Sequence, residues 1–379
     1  MFSYKFFRKS YLSKLNNFVV DLSSPSNISY FWNFGSLLGV SLLMQFMSGL
    51  FLTFHYAANV MVAFDSVIHI MRDVNSGWFL RYAHINGASF FFIFIYIHIG
   101  RGIFYFSFKK KPVWLSGILI FLLLMMVAFM GYILPWGQMS FWGATVITNL
   151  ISSVPKLGEV IVFWIWGGFS VNNATLNRFF SFHFVFPFLI MFLVLIHLVF
   201  LHNYGSNNPL GLIGSYDKIF FYPYFAIKDF LGFFFFFFAI LFLILICFFP
   251  LMLVDSENFI MANSLVTPLH IQPEWYYLFS YAILRSIPNK LGGVMALFLS
   301  VLVLGVFLFC KSKFNSLSYY PVIDFGYYYF VINIGLLMWI GANQVEYPFY
   351  LLGQMFSIFF FFFFYMYIYL VSFWDFLLD

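Results

Sequence analysis

The sequence predicts an all-α integral membrane protein with eight transmembrane helices, the first four gathered into a four-helix bundle. Three observations predict it. Hydrophobic residues make up 63% of the 379-residue chain and charged residues 8%, more apolar surface than a water-soluble core can hide. Eight stretches are apolar and long enough to cross a hydrocarbon layer about 30 Å thick: 32–53, 78–104, 113–134, 179–201, 226–247, 291–309, 322–340 and 351–371. The second and the fourth of these each carry two histidines fourteen residues apart.

In chain order, residues 1–31 read as a basic segment on the inner side of the membrane, with Lys5, Arg8, Lys9 and Lys14. No short apolar core and small-residue cleavage site follow them, so no removable signal is expected. The first span carries Gly35, Ser36 and Gly49; the second carries His84 and His98, with Arg81 and Arg101 three residues outside them. Gly117 and Gly131 repeat the fourteen-residue interval in the third span. Pro135-Trp136-Gly137-Gln138 then opens a stretch to Asn149 with few charges, which reads as a helix lying in the interface. Arg178 precedes the fourth span, which holds His183 and His197 and ends at His202, followed by Ser206-Asn207-Asn208-Pro209. Lys228-Asp229 opens the fifth span. The connection 255–290 contains three prolines and clusters Glu274, Trp275, Tyr276, Tyr281 and Arg285. Phenylalanine runs at 233–238 and 359–364 suit lipid contact and fit a nucleotide-skewed genome.

Lys and Arg set the orientation. Twelve lie between spans on the side of the N-terminus and six on the other (Arg72, Arg81, Lys156, Arg178, Arg285, Lys290), which places both termini on the inner, negative side. The second and fourth spans then run parallel, pairing His84 with His183 near the outer face and His98 with His197 near the inner one. The net charge of +5 is too scattered for a nucleic-acid surface. Cys247 and Cys310 form no disulfide framework and no cluster site.

Fourteen residues at about 100° each return to within roughly 40° of the starting direction and advance roughly 21 Å. Both histidines of a pair therefore look out of one helix face, and four on two helices are what two iron porphyrins need for axial ligation. Isolated packing histidines are the alternative, which a repeated spacing disfavours. Glycine at matching depths removes a side chain where a flat ring approaches the backbone, though small-residue helix packing gives the same pattern. Arg81, Arg101 and Arg178 suit porphyrin propionates or simple interfacial anchoring. His202 and Asp229, with Ser36 at similar depth, suit proton donation to a quinone, or are capping and loop residues.

The run Gly131 to Asn149, the tetrapeptide Pro273-Glu274-Trp275-Tyr276, the run Arg178 to His183 and Gly205-Ser206-Asn207-Asn208-Pro209 together resemble cytochrome b. That family forms the membrane core of the respiratory quinol:cytochrome c oxidoreductase, complex III. The likeness runs from about Trp32 to Gln354. It implies two haem b groups, the low-potential one on His84 and His183 and the high-potential one on His98 and His197. It implies that Glu274 accepts a proton from ubiquinol at the outer site, with Tyr281 beside the ring and Gly143 lining the pocket. His202 and Asp229, with Ser206 and Lys228, would serve quinone reduction at the inner site. The implied architecture is a dihaem bundle over 32–210, then 211–379 with the outer quinol loop 255–290. The implied partners are a Rieske iron–sulfur protein, cytochrome c1, other complex III subunits, a second copy, lipid and ubiquinone, all in the mitochondrial inner membrane. The implied function is proton translocation by a Q cycle. Equal His intervals in the two helices favour the mitochondrial and bacterial form over the chloroplast relative.

Gln272, Ala342-Asn343-Gln344 and the segment 312–320 depart from the family pattern, which bears on inhibitor response and accessory contacts but leaves the ligands untouched. Two other classes stay open from the residues alone. A transporter with a histidine proton relay would also place His, Asp and Glu in helices; a dihaem subunit of another quinone-linked dehydrogenase would lack the outer-loop motif.

Overall fold

The computed structural model describes residues 20–212 and 214–379, so Lys5, Arg8, Lys9 and Lys14 lie outside the described residues. Among the described residues twelve α-helices follow one another. They are α1 Phe34–Thr53, α2 Ala63–Arg72, α3 Gly77–Phe104, α4 Lys111–Ile133, α5 Gln138–Asn149, α6 Gly158–Trp166, α7 Asn173–Tyr204, α8 Tyr224–Phe233, α9 Leu278–Ser286, α10 Lys290–Leu302, α11 Pro321–Gly341 and α12 Phe349–Leu377. A 3₁₀ turn, Tyr30–Asn33, extends α1 backwards; a π-helix, Phe234–Phe248, continues α8; a 3₁₀ segment, Val303–Phe309, continues α10. With those extensions, eight helices among the described residues are long and apolar enough to cross a membrane, by length and composition. They are the eight expected.

Local chemistry explains where several of them begin. Pro112 stands in the first turn of α4 and Pro321 in that of α11, where a missing N–H costs nothing. The helix α7 starts six residues ahead of its apolar stretch, at Asn173, because Asn172 and Thr175 form a reciprocal capping box. Its hydropathic window is only 6% buried within the chain, so most of its side chains are left for lipid or for neighbours.

Helix α1 packs along α3, and α4 along α7. Behind them α9 is wrapped by α10, α11 and α12, and Phe92, Phe279, Ile283, Phe330, Phe364 and Tyr367 bury the joint core. A second cluster, with Ile133, Trp136, Trp166 and Leu176, closes the end of the bundle where α5 and α6 lie. At the other end the short strands β1 Ser23–Pro25 and β2 Lys218–Phe220 pair antiparallel, Ser24 opposite Ile219. The short helices α2 and α6 were not expected from the sequence.

Candidate functional site: two histidine pairs between helices

The imidazoles of His84 on α3 and His183 on α7 face each other with ring centres 6.2 Å apart, and those of His98 and His197 with centres 6.5 Å apart. An imidazole nitrogen about 2 Å from a metal puts the ring centre roughly 3 Å from it, so two axial imidazoles on one metal stand with centres roughly 6 Å apart. Both pairs have that spacing. The pairing also fixes α3 and α7 as parallel.

Each histidine docks on a glycine of the neighbouring helix. A Cβ built on Gly49 would meet His84 Cε1 at 3.0 Å, and one on Gly131 would meet His183 Cε1 at 2.4 Å. The corresponding distances are 3.6 Å for Gly35 to His98 and 3.4 Å for Gly117 to His197. The glycine rhythm of α1 and α4 therefore makes room for the imidazoles, strictly at Gly131 and closely at Gly49. The same turns also hold the rings. Ser48 Oγ lies 2.9 Å from His84 Nδ1, Ser116 Oγ 2.8 Å from His197 Nδ1, and the Val127 carbonyl 2.8 Å from His183 Nδ1. With Nδ1 so engaged, Nε2 is the nitrogen left to bind a metal. None of the three groups was picked out from sequence, although Ser48-Gly49 and Ser116-Gly117 repeat one dipeptide.

A cavity of about 1280 Å³, counted with its mouth, opens at the His84 level between α1, α3, α4 and α7, lined by Gly49, Arg81, Gly131 and both histidines. At the other level the Arg101 guanidinium approaches His98 Nδ1 at 3.2 Å and lies over the Trp32 ring, and its buried Nε has no partner among the described residues. An unsatisfied buried donor beside His98 fits a carboxylate such as a haem carries. Histidine spacing with the cavity at the His84 level, and histidine spacing with the Arg101 cation at the His98 level, are each an arrangement that suits a haem. Arg178 sits elsewhere, hydrogen-bonded to the Trp164 carbonyl and stacked over that ring.

The two long connections at the His84 end form one structure. Gln138 N donates to the Ile260 carbonyl at 2.9 Å, Ala262 N to the Trp136 carbonyl at 3.1 Å, and the Gln138 and Trp142 side chains both donate to the Val266 carbonyl. Trp275, Tyr277 and Tyr96 pin the 255–290 connection on α3 and α4 through bonds to Ser89 Oγ, the Met125 carbonyl and the Tyr276 carbonyl. Tyr276 stacks on Phe92 at 3.9 Å. Glu274 is held inside this assembly. Burial pushes its carboxyl up to about 7; Asp255 adds to the rise and Arg81 opposes it.

Tyr281 donates to the Ile271 carbonyl at 3.2 Å, and the Arg285 guanidinium lies over its ring. Burial raises the phenol, with Arg285 opposing. Arg285 itself donates to the Ile340, Gly341 and Asn343 carbonyls that end α11. The Ala342-Asn343-Gln344 turn therefore meets Arg285 through its backbone. A Cβ at Gly143 would meet open space.

At the His98 end, Asn33 donates to the Lys228 carbonyl at 2.8 Å, and Ser36 lies between the Asn33 carbonyl and the Asp229 carboxylate. That joins the start of α1 to the start of α8. The Lys228 ammonium is engaged by the Ile28 carbonyl and the Tyr30 ring. His202 stands half-buried in the last turn of α7, with Ser206 just beyond it.

The family model described as cytochrome b/b6/petB matches residues 19–205, and that described as cytochrome b (C-terminal)/b6/petD matches residues 261–361. Among solved structures, a chain from a hyperthermophilic respiratory complex III is 31% identical, with a TM-score of 0.91 over 98% of each chain.

Proposed function

The chain belongs to the cytochrome b family, and from that premise we propose that it is the membrane subunit of a respiratory quinol:cytochrome c oxidoreductase. The observation that carries the proposal is the pair of facing histidine couples, 6.2 and 6.5 Å between ring centres, one above the other along the same two helices. His84 with His183 would hold one haem b and His98 with His197 the other, with Gly35, Gly49, Gly117 and Gly131 giving the histidines room. Arg81 and Arg101 would face propionates, with Arg178 anchoring the turn before α7. Bound there, two haems supply one-electron carriers stacked across the membrane between a quinol-oxidising and a quinone-reducing site.

At the outer site Glu274 takes a proton from ubiquinol. A carboxyl pushed up to about 7 by burial both accepts and releases a proton near neutral pH, which is what a relay needs. Arg81 keeps the ionised form accessible. Tyr281, held at its hydroxyl and under a guanidinium, lines the ring position, and Gly143 leaves space open beside it. One electron leaves to an external acceptor, because among the described residues neither Cys247 nor Cys310 belongs to a group of His, Cys, Asp or Glu side chains that could hold an iron–sulfur cluster. A Rieske iron–sulfur protein and cytochrome c1 fill that role, beside other complex III subunits and a second copy.

At the inner site Asp229, steadied by Ser36, and His202 supply protons to quinone, with Lys228 and Ser206 around them. Two electrons and two protons reduce each quinone to quinol, drawn from the face opposite to that which releases them, so turnover translocates protons. The functional regions are 32–210 for the haems and 211–379 for the rest, loop 255–290 included. Residence is the mitochondrial inner membrane, both termini in the matrix.

A reduced-minus-oxidised spectrum of the complex, titrated against potential, tests this reading. Two b-type haems at separate potentials are expected, with quinol-dependent reduction of cytochrome c. No haem would overturn the proposal; haem without cytochrome c reduction would make the chain a dihaem subunit of another dehydrogenase.

A further inference from the structure

The two serines that touch ring nitrogens are related in a way that packing does not require. Ser48 Oγ lies 2.7 Å from the Met44 carbonyl, four residues back on its own helix, and Ser116 Oγ lies 2.8 Å from the Pro112 carbonyl and 2.9 Å from that of Val113. A hydroxyl has one hydrogen. Given to the helix carbonyl, it leaves the oxygen as an acceptor toward the histidine. The imidazole Nδ1 then carries the proton, and Nε2 keeps its lone pair toward the opposite histidine, the tautomer that a metal needs. An oxygen that already donates is also the stronger acceptor.

The serines are divided between the levels. Ser48 on α1 serves His84 in the first couple, and Ser116 on α4 serves His197 in the second. The other ligand of the first couple, His183, uses the Val127 backbone carbonyl. That carbonyl has no side chain to change. Each serine immediately precedes the glycine on which its histidine docks, Gly49 and Gly117, so one dipeptide provides both the room and the acceptor.

Building on the haem reading above, we propose that Ser48 and Ser116 are positioning residues, each orienting one axial histidine and thereby setting the potential of one haem independently of the other. An Nδ1–H that donates to oxygen makes the imidazole a better electron donor to iron, which favours the ferric form and lowers the potential. Losing the acceptor raises it.

The test is a redox titration of haem absorbance in the assembled complex, in membranes, for Ser48→Ala, Ser116→Ala and the two Ser→Thr variants. Ser48→Ala should move one titration step upward and leave the other in place, and Ser116→Ala should move the other step. Threonine keeps a hydroxyl with the same bond to the preceding turn, so Ser48→Thr and Ser116→Thr should titrate with the parent. Haem lost in an alanine variant but kept in its threonine counterpart also supports the assignment. Steps unmoved or moved downward in the alanine variants, both steps moved by either variant, or threonine behaving as alanine would each overturn it. A parent complex without b-type haem would instead remove the ligand reading on which the assignment rests.

Discussion

At the scale of single residues, the distances separate glycines that are required from glycines that are merely present. A methyl on Gly131 would stand 2.4 Å from His183 Cε1, closer than real contacts come, whereas one on Gly117 would stand 3.4 Å from His197 Cε1, an ordinary contact. Gly131→Ala should therefore expel His183 from its place beside the Val127 carbonyl and lose the haem at that level, while Gly117→Ala keeps both. The haem-to-polypeptide ratio measures this, and equal ratios in the two variants would contradict it. Glu274 gives a second residue-level expectation. Its carboxyl is held near 7 instead of 4.5, and only the ionised form accepts a proton, so quinol oxidation should rise with pH through about 7 and fall away below it. Glu274→Gln, with both haems retained, should be slow and should lack that rise. A parent-like pH profile in the variant would take Glu274 out of the proton path.

At the scale of elements, α5 shows what one sequence stretch owes to another. Its N-cap, Gly137, has no side chain to satisfy the first turn. The cap comes from 118 residues further on, where Asn258 Oδ1 accepts from the Ser140 N–H at 3.0 Å and from its hydroxyl at 2.9 Å. Asn258→Ala should cost about 1–2 kcal/mol, the worth of a lost cap. The loss should appear as faster amide exchange in α5 and in residues 258–266, with the haem spectrum unchanged; unaltered exchange would mean that the backbone bonds alone hold the clasp. Capping in trans is invisible to a reading along the chain. The eight spans were legible because hydropathy needs no partner, and the four histidines because fourteen residues is nearly a whole number of turns. The helix α6 was missed because it is short and apolar nearly all round, a stretch with no distinctive period; α2 does carry a helical period, with Asp65, Ser66, His69 and Arg72 on one face, which hydropathy over spanning lengths does not register. Ser48, Ser116 and the Val127 carbonyl were missed because their role depends on which helix lies beside them. Ser48-Gly49 recurring as Ser116-Gly117 was the only trace they left in the sequence.

At the scale of the whole molecule, every residue assigned to haem lies before 205, yet the bundle leans on the second half of the chain. The Trp114 indole donates to the Leu304 carbonyl at 2.8 Å, and the Lys109 ammonium gathers the Ser312 and Phe314 carbonyls and Asn315 Oδ1 within 2.9 Å. The Tyr367 hydroxyl donates to the Ile103 carbonyl at 3.1 Å. The divergent segment 312–320 is thus tied to the chain just beyond α3 by its backbone carbonyls and by Asn315, and it buries Leu317 and Tyr320, the latter stacked on Phe106. Around these bonds lies the shared aromatic core of Phe92, Phe279, Phe330, Phe364 and Tyr367. Helix α8 is bound back to the first half separately, through Asn33 with Lys228 and through the pairing of β1 with β2. The covalent link at 209–212 is by contrast a turn with Leu210 and Leu212 both 58% exposed. Contacts of this kind do not depend on chain continuity. Breaking the backbone in that turn and co-expressing the two pieces should therefore give a complex that keeps both haems and loses only part of its thermal stability. Expressing the first piece alone should give much less bound haem, because α3 and α4 would expose Phe92 and Trp114 where the second half belongs. A first piece that binds haem as well alone as with its complement would show that the bundle is self-sufficient, and would leave the buried aromatic joint without a part in holding the site.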